Sequence, residues 1–331
     1  MKLTIKDIAK QLGVSHSTVS KALNNSPLVK QETKNKVIKF AKEMGYEPNY
    51  AAQRLVSKQS NVIGLIWPTL ERVAPSTLVT KINEEISKHN YKMILSIDSI
   101  EKSIEMYKRF QVDGVIAFNK HNIDMPQSTS MPLVTYGVSR DKSIPVIDVN
   151  YKEAMNVAVE YLYQLGHENI AFIGDFSFTD ERQVEKYDGF QQAMVKFGLK
   201  VSNHNLIDTR GLDWYDGYIT TMHLLNSPLK PTAIIGSSYD ISAGIVRGLR
   251  QANYIIPKDM SVISYDNIPQ LENLEVPLTS VGVPVEEIAQ QMVNTLLNYI
   301  KDPNSVPLSQ TLTPRISERA SCAIARTIMN K

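Results

Sequence analysis

From Asn61 onward, short apolar runs alternate with amphipathic stretches of helical periodicity, and this alternation limits the folds that the chain can adopt. The runs at 62–67 and 114–118 are continuously apolar, as is typical of strands buried on both faces. Strand-then-helix order predicts a parallel sheet with helices on both sides. Because about 270 residues exceed one such sheet, we expect an α/β body of two doubly wound lobes, with a ligand between them at the carboxyl ends of the strands.

The first sixty residues differ from the rest in charge. They carry ten lysines and one arginine against four acidic residues, whereas the remainder carries 25 basic and 30 acidic groups. A small basic head on a mildly acidic body indicates a nucleic-acid-binding module joined to another domain. A solvated basic surface would give the same charge, so the charge leaves both interpretations open.

This basic segment predicts an all-α domain of three short helices. Thr4 is expected to cap a helix at 5–12 that ends at Gly13, and Ser15 to cap a second helix that runs to about residue 24. A third helix is expected at about 31–44, stopped by Gly45. Its expected inward residues are Val37, Ile38 and Ala41.

Two short helices joined by a tight glycine turn are typical of the helix-turn-helix, whose second helix enters the major groove. The side chains expected at base edges are His16, Ser17 and Lys21, of which Lys21 is able to donate to guanine O6 and N7. The polar groups suited to phosphate contacts are those of Thr4, Ser15, Thr18, Ser20 and Asn24. The alternative is a small helical hairpin with ordinary polar groups on its surface.

Several motifs together resemble the signature of the lactose/galactose-repressor (LacI/GalR) family of bacterial transcription regulators. They are Ile5-Lys6-Asp7-Ile8-Ala9, Gly13-Val14-Ser15, Thr18-Val19-Ser20, Leu23-Asn24, Val37, Gly45-Tyr46, Pro48-Asn49 and Leu55. The match is dense over residues 4–66 and thinner as far as Arg319. The resemblance implies a helix-turn-helix headpiece at 1–47, a hinge helix and linker at 48–60, and an effector-binding and dimerisation domain at 61–331.

The resemblance also gives a role to the segment 50–56, which looks like the hinge helix that enters the minor groove of the operator. Leu55 matches the apolar wedge that kinks DNA, and Ala52 matches the residue packed beside it. Gln53 stands where members most often carry arginine, and Lys21 in the second helix stands where many members carry arginine. Lysine is a point charge rather than a planar fork, so we expect weaker discrimination at the base pair that Lys21 contacts.

The body of the family resembles periplasmic sugar-binding proteins. The resemblance implies a first lobe of about 61–160 with 285–325, and a second of about 161–284. The effector-binding positions that it implies are Trp67, Pro68, Arg72, Pro75, Tyr136, Lys186, Trp214, Ser238 and Asp266. Aromatic faces cover the apolar side of a sugar ring, and charged groups bond its hydroxyls. The departures at Gly137, Tyr239 and Val283 leave larger glycosides, phosphosugars and other metabolites open as ligands.

Each of these positions also has a structural interpretation. Trp67, Tyr136 and Trp214 are suited to a hydrophobic core, Asp266 to capping a turn, and Lys186 to a solvated surface.

Other features of the composition exclude whole classes of protein. No apolar run approaches 18 residues and the N-terminus has no apolar core, so we expect neither a membrane span nor secretion. Cys322 is the single cysteine, which rules out an intrachain disulfide and a cysteine cluster for zinc, and fits the cytoplasm. Without a glycine-rich phosphate loop, a nucleophile elbow or a zinc-like histidine pair, we expect no enzyme, no cofactor and no metal.

Together these observations predict a sequence-specific transcription regulator, expected to be a repressor, whose operator affinity is controlled by a carbohydrate-related effector. We expect a homodimer on a pseudopalindromic operator, since no leucine heptads that would build a tetramer follow Arg319. One alternative is a regulator activated by a corepressor or a protein partner. Another is a sugar-binding transport protein, which would need an export signal.

Overall fold

The computed structural model of the protein describes residues 3–46, 59–118, 131–137, 143–176, 180–202 and 205–325. The chain divides into two compact units, Met1–Ser60 and Asn61–Lys331, and each has its own hydrophobic core. The expected hinge helix at 50–56, with Ala52, Gln53 and Leu55, lies outside the described residues.

The described residues of the N-terminal unit, 3–46 and 59–60, form three helices, whose bounds are α1 (Ile5–Leu12), α2 (His16–Leu23) and α3 (Gln31–Glu43). Thr4 caps α1 reciprocally: its hydroxyl accepts from the N–H of Asp7, whose carboxylate accepts from the N–H of Thr4. Gly13 ends α1 with a φ of 63°, and the Ser15 hydroxyl accepts from the N–H of Thr18 at 3.0 Å. The expected caps at Thr4 and Ser15 and the stop at Gly13 are confirmed.

The core of this unit is small and is built from one face of each helix. Its fully buried apolar residues are Ile8, Ala9, Val19, Ala22, Val37 and Ala41. Ile38 was expected inside but is 46% exposed, because the inward stripe of α3 runs through Val37 and Ala41, four residues apart. Lys34 is buried on the same side of α3, where its amine donates to the backbone and side-chain oxygens of Asn25.

The larger unit has two α/β lobes. The first contains β1 (Val62–Ile66), α4 (Val73–Lys88), β2 (Lys92–Ser96), α5 (Ile100–Phe110), β3 (Gly114–Phe118), β4 (Leu133–Tyr136), β5 (Val146–Val149), α10 (Val285–Lys301) and β11 (Ser309–Leu312). The second contains α6 (Tyr151–Gln164), β6 (Ile170–Gly174), α7 (Glu181–Lys196), β7 (Leu206–Asp208), α8 (Trp214–Asn226), β8 (Ala233–Gly236), α9 (Tyr239–Gln251), β9 (Ser261–Asn267), a 3₁₀ turn at Pro269–Glu272, β10 (Thr279–Pro284) and β12 (Arg315–Ser317).

Each lobe is organised around a six-stranded sheet. The strand order is β11-β5-β4-β3-β1-β2 in the first lobe and β12-β10-β9-β8-β6-β7 in the second. All of these strand pairs are parallel except β10 with β12. The expected fold class, a helical headpiece with a doubly wound, two-lobed α/β body, is confirmed.

Within the described residues, the chain passes between the lobes three times, and each passage is short. Asn150 alone separates β5 from α6, and Pro284 ends β10 directly before α10 begins at Val285. The third passage consists of Thr313 and Pro314, between β11 and β12.

These passages correct the expected lobe boundaries at two places. The segment 151–160 belongs to the second lobe, because α6 packs against α7, β10 and β12. The segment 313–325 also belongs there, since β12 pairs with β10 and the guanidinium of Arg319 donates to the Leu278 carbonyl. The division observed is therefore 61–150 with 285–312 against 151–284 with 313–325.

The packing of α6 on α7 generates a prediction at Gly189. A Cβ there would lie 2.6 Å from the Cα of Lys152 and 2.9 Å from its carbonyl oxygen, both of which are backbone atoms. Alanine ordinarily stabilises a helix over glycine by about 1 kcal/mol, but here α6 would have to shift. We expect Gly189→Ala to lower the melting temperature by several degrees, measured calorimetrically, whereas Gln192→Ala on the exposed side of α7 leaves it nearly unchanged. An equal or higher melting temperature for Gly189→Ala would contradict this packing.

Candidate functional sites

The polar surface of α2 is the candidate DNA-binding surface. His16, Ser17, Lys21 and Asn24 are exposed, and the opposite side of the helix, through Val19 and Ala22, is buried in the core. Helix α2 therefore has one face free to enter a groove.

The hydroxyls expected at phosphates have different surroundings. Those of Thr4 and Ser15 serve as helix caps, and the Ser15 and Thr18 hydroxyls lie 2.8 Å apart within hydrogen-bonding distance. Thr18 and Ser20 are only partly exposed. The backbone N–H groups at the start of α2 add a partial positive charge, which favours a phosphate at this end of the helix.

The candidate effector site is a cavity of about 80 Å³ between the lobes of the larger unit. Its lining residues from the first lobe are Trp67, Arg72, Ala74, Pro75, Leu78, Phe118, Tyr136, Val285 and Ile288. Those from the second are Tyr151, Arg182, Gln183, Lys186, Tyr265, Asp266, Asn267, Ile268, Gly282 and Val283. Because parallel strands end at one edge of a sheet, β1, β3 and β4 all bring side chains to this cavity at their carboxyl ends.

Those strand ends supply an aromatic wall. The Trp67 ring lies 4.9 Å from the Phe118 ring and is nearly parallel to the Tyr136 ring, with 6.3 Å between the centroids. Tyr151 and Tyr265 add a second pair of rings from the other lobe, with centroids 5.9 Å apart. Such apolar faces suit the C–H side of a sugar ring or another flat ligand.

A partly buried arginine faces this wall from the second lobe. The Nε of Arg182 donates to Asp180 Oδ1 at 2.9 Å, and its Nη2 donates to the other carboxylate oxygen. Its guanidinium carbon lies 4.4 Å from the centroid of the Phe118 ring. Burial would raise the pKa of the Asp180 carboxyl, but the hydrogen bonds and charge of Arg182 outweigh it and hold that pKa below its usual value.

One helical turn further along α7, Lys186 is 3% exposed. Its amine donates to the carbonyl oxygen of Ser237 at 2.9 Å and lies 3.6 Å from the centroid of the Tyr265 ring. Burial lowers the pKa of Lys186 to about 7 despite the opposing charge of Asp266. The amine is therefore only partly charged near neutral pH.

Opposite charges also meet across the mouth of the cleft. The Nε of Arg72 in the first lobe lies 3.5 Å from Asp240 Oδ2 in the second. Burial raises the pKa of the Asp240 carboxyl, with the charge of Arg72 acting against that rise. Nearby, Asp266 has a φ of 81°, and its Oδ2 accepts from the N–H of Tyr239 at 2.9 Å.

Comparison with known proteins identifies the family. Residues 4–49 match the profile of bacterial regulatory proteins of the lacI family, and residues 159–322 match that of periplasmic binding protein-like domains. A probable HTH-type transcriptional repressor ExuR of Bacillus subtilis (strain 168) is 30% identical over 313 residues, which cover 92% of this chain and 93% of that one. The chain belongs to the LacI family of bacterial regulatory proteins.

Solved structures of the family have the same architecture. A lac repressor dimer bound to operator and an anti-inducer superposes with a TM-score of 0.80 at 23% identity, covering 98% of this chain and 100% of that one. A LacI-family regulator from Enterococcus faecium with bound ribose gives 0.71 at 25% identity, covering 80% and 100%. The LacI-family chain is thus a DNA-binding transcription regulator and not an enzyme.

The described part of this LacI-family chain has neither a membrane-spanning helix nor a cluster of metal-ligating side chains. None of its helices is long and apolar enough to cross a membrane. No group of three or more His, Cys, Asp or Glu side chains there is arranged to hold a metal ion.

The effector positions implied by the family resemblance fall into two groups. The residues that line the cavity are Trp67, Arg72, Pro75, Tyr136, Lys186 and Asp266. Pro68 is exposed beside the cavity, and Ser238 caps α9, where its hydroxyl accepts from the N–H of Ile241 at 3.3 Å. Trp214 is 47% exposed at the start of α8 and packs with Tyr215 and Arg247 instead.

Other lining residues were missed, and some had a detectable signal. Phe118 ends an apolar strand, as Tyr136 does, and Tyr151 starts the helix directly after another strand. Arg182 lies four residues before Lys186, on the same face of α7. Gln183 gives no such signal, because its role depends on the residues that the other lobe places opposite it.

The buried lysine generates a prediction about pH. The pKa of Lys186 is about 7 in the folded protein, below the ordinary 10.5. Between these two pH values the unfolded chain therefore binds a proton that the folded protein does not. Because of this difference at Lys186, the free energy of unfolding rises with pH across that range. Lys186→Met removes this dependence. We therefore expect the melting temperature of the variant, relative to the native protein, to be highest near pH 6 and to decline steadily towards pH 9.

The trend with pH is the signature of Lys186, since loss of the bond to Ser237 shifts stability by an amount that does not vary with pH. The matched control is Lys196→Met, which changes an exposed lysine on the same helix and should show no trend. A constant difference between native protein and Lys186→Met from pH 6 to 9 would mean that the amine keeps an ordinary pKa.

Proposed function

We propose that this regulator is a repressor that binds a pseudopalindromic operator as a homodimer, and that a carbohydrate-related effector in the cavity between the lobes changes its operator affinity. The observation that carries the proposal is the cavity itself. It combines an aromatic wall with charged groups near the carboxyl ends of the strands, in a chain that also has a helix-turn-helix.

The DNA-binding part of the proposal assigns base contacts to His16, Ser17 and Lys21 on the exposed face of α2. The phosphate contacts are assigned to the start of α1 and α2, to Ser20 and to Asn24. The residues 52, 53 and 55 would enter the minor groove, Leu55 as the wedge. The lac repressor relative bound to operator is a dimer, which supports the same stoichiometry here.

The effector part rests on the chemistry of the lining. Aromatic rings at Trp67 and Tyr136 would cover the apolar face of a sugar, while Asp266 accepts hydrogen bonds from its hydroxyls. The relative from Enterococcus faecium holds ribose, which supports a ligand of the carbohydrate class.

Contacts across the cleft provide the means of coupling. Arg72 pairs with Asp240, the amide of Gln270 donates to the Thr77 hydroxyl at 2.9 Å, and Arg182 lies over Phe118, each joining one lobe to the other. A ligand seated among these groups changes how the lobes meet. It shifts the DNA-binding equilibrium by its difference in affinity for the two lobe arrangements.

The DNA contact is tested with Lys21→Ala. Losing a base contact costs about 1–3 kcal/mol, so we expect operator affinity to fall roughly 5- to 150-fold and discrimination to relax at one base pair. Fluorescence anisotropy on an operator selected from genomic fragments, at fixed salt, measures both effects. Lys39→Ala, an exposed lysine on α3, is the matched control. An equal loss on operator and random duplex would assign Lys21 to the phosphates instead.

The effector site is tested with Asp266→Asn, which keeps an oxygen for the Tyr239 N–H but removes the charge. A thermal-shift screen of sugars, sugar acids and sugar phosphates first selects the ligand, and operator binding is then measured with and without it. We expect the ligand-induced shift to disappear in Asp266→Asn and to persist in Glu275→Gln, an exposed carboxylate of the same lobe. A full shift in the Asp266 variant would remove this residue from the site, and unchanged operator affinity with bound ligand would refute control by the effector.

A further inference from the structure

Most of the charged residues that line the cavity are positively charged. Arg72, Arg182 and Lys186 line it, whereas Asp266 is the one acidic lining residue within the described part of the chain. We propose, resting on the proposed function, that the effector is an acid sugar: a polyhydroxylated molecule whose carboxylate or phosphate group is bound by Lys186 and Arg182.

The carboxylates that neutralise the two arginines lie behind them. Asp180 holds Arg182 through two hydrogen bonds, and Asp240 lies 3.5 Å from Arg72, but neither acid is among the lining residues. A ligand in the cavity therefore meets the cations at contact distance and these carboxylates only beyond them. Arg182, fixed from behind by Asp180, keeps its remaining N–H donors and is held in place for a ligand.

Lys186 lacks a close acceptor for most of its donors. An ammonium group has three N–H donors, and the Ser237 carbonyl is the single hydrogen-bond acceptor that the described residues offer it. The Tyr265 ring covers a second side of the amine, whose nitrogen lies 3.6 Å from the ring centroid. A carboxylate or phosphate oxygen would complete this coordination.

The electrostatic surroundings of the amine agree with this assignment. The groups that act on Lys186 are Asp266 and Asp180, which favour its charge, and Arg182 and Arg72, which oppose it. Burial outweighs their sum and leaves the pKa at about 7. An anion beside the amine restores the charge, so binding should take up a proton near pH 7.5.

A second feature indicates that the ligand also carries hydroxyl groups. Gln183 lines the cavity, is only 5% exposed, and its Oε1 has no hydrogen-bond partner among the described residues. An unpartnered buried acceptor is costly, and a hydroxyl donor from a ligand would satisfy it. A simple carboxylate such as acetate supplies no such donor, whereas an acid sugar supplies both an anionic group and hydroxyl donors.

Isothermal titration calorimetry on the full-length protein tests the proposal with matched pairs. Glucose is compared with glucuronate and glucose 6-phosphate, and galactose with galacturonate and galactose 6-phosphate. A set of aldonates is added, with acetate and inorganic phosphate as anions that lack a polyol. We expect at least one acid sugar to bind 30-fold or more tightly than its neutral parent, and to take up protons at pH 7.5 when two buffers of different ionisation enthalpy are compared.

Variants then locate the anion. Lys186→Met should reduce the acid-to-neutral affinity ratio at least tenfold, Lys186→Arg should retain most of it, and Lys196→Met should leave it unchanged. Comparison of the carboxylate and phosphate arms shows which anion the cavity takes. A neutral sugar that binds as tightly as its acid, an unchanged ratio in Lys186→Met, or no binding by any acid sugar in the panel would each overturn the proposal.

The readout separates this inference from the proposed function. Calorimetry without DNA reports only on what the cavity binds, while anisotropy with operator reports on control. An acid sugar that binds without altering operator affinity refutes the proposed function and leaves the ligand class standing. A neutral sugar that binds as tightly as its acid and alters operator affinity refutes the acid-sugar inference and supports the proposed function.

Discussion

The architecture of the larger unit depends on the direction of its strands. Because nearly all strands in each sheet are parallel, their carboxyl ends gather at one edge, and the two lobes place these edges opposite each other. The residues that follow or end the strands are then brought together although they are far apart in sequence. Trp67 and Asp266, almost two hundred positions apart, line the same small cavity for this reason.

Burial at that junction changes the behaviour of the charged groups. An exposed lysine keeps its proton at neutral pH, but Lys186, enclosed by two tyrosine rings and a carbonyl oxygen, holds it only partly. Arg182 remains charged because Asp180 pairs with it directly. The two cavity-lining cations of α7 therefore differ in character: Arg182 is a permanently charged donor, whereas Lys186 is only partly charged near neutral pH.

Much of the fold was predictable from the sequence, since fully buried strands are continuous apolar runs. The apolar run at 114–118 coincides with β3, and the run at 62–67 contains β1 and the cavity-lining Trp67 that follows it. The edge strand β11 has no such run. It reads Ser-Gln-Thr-Leu, with one face exposed and the other only partly buried, so its position does not require apolar residues.

Site residues were predictable only where a motif or a strand end indicated them. Gln183 lies at the polar start of a helix, and nothing local shows that it lines a cavity shared with the other lobe. Trp214 is the opposite case, because the family resemblance implied it but it does not line the cavity. The Cβ that Gly244 lacks would lie 2.0 Å from the Trp214 carbonyl oxygen, so α8 packs closely against α9 while the indole lies outside against Tyr215. An aromatic residue identifies a binding site only when the backbone turns it inward.

The three passages between the lobes have a mechanical consequence. The covalent connections between the described lobes are Asn150, the Pro284–Val285 peptide bond and the pair Thr313 and Pro314. These connections are too short to let the lobes slide apart. Their relative motion is reduced to a rotation about the strip of backbone that these passages share. The displacement that such a rotation produces grows with distance from its axis. A small molecule that moves the lobes by a fraction of an ångström near the axis therefore moves their far ends by more.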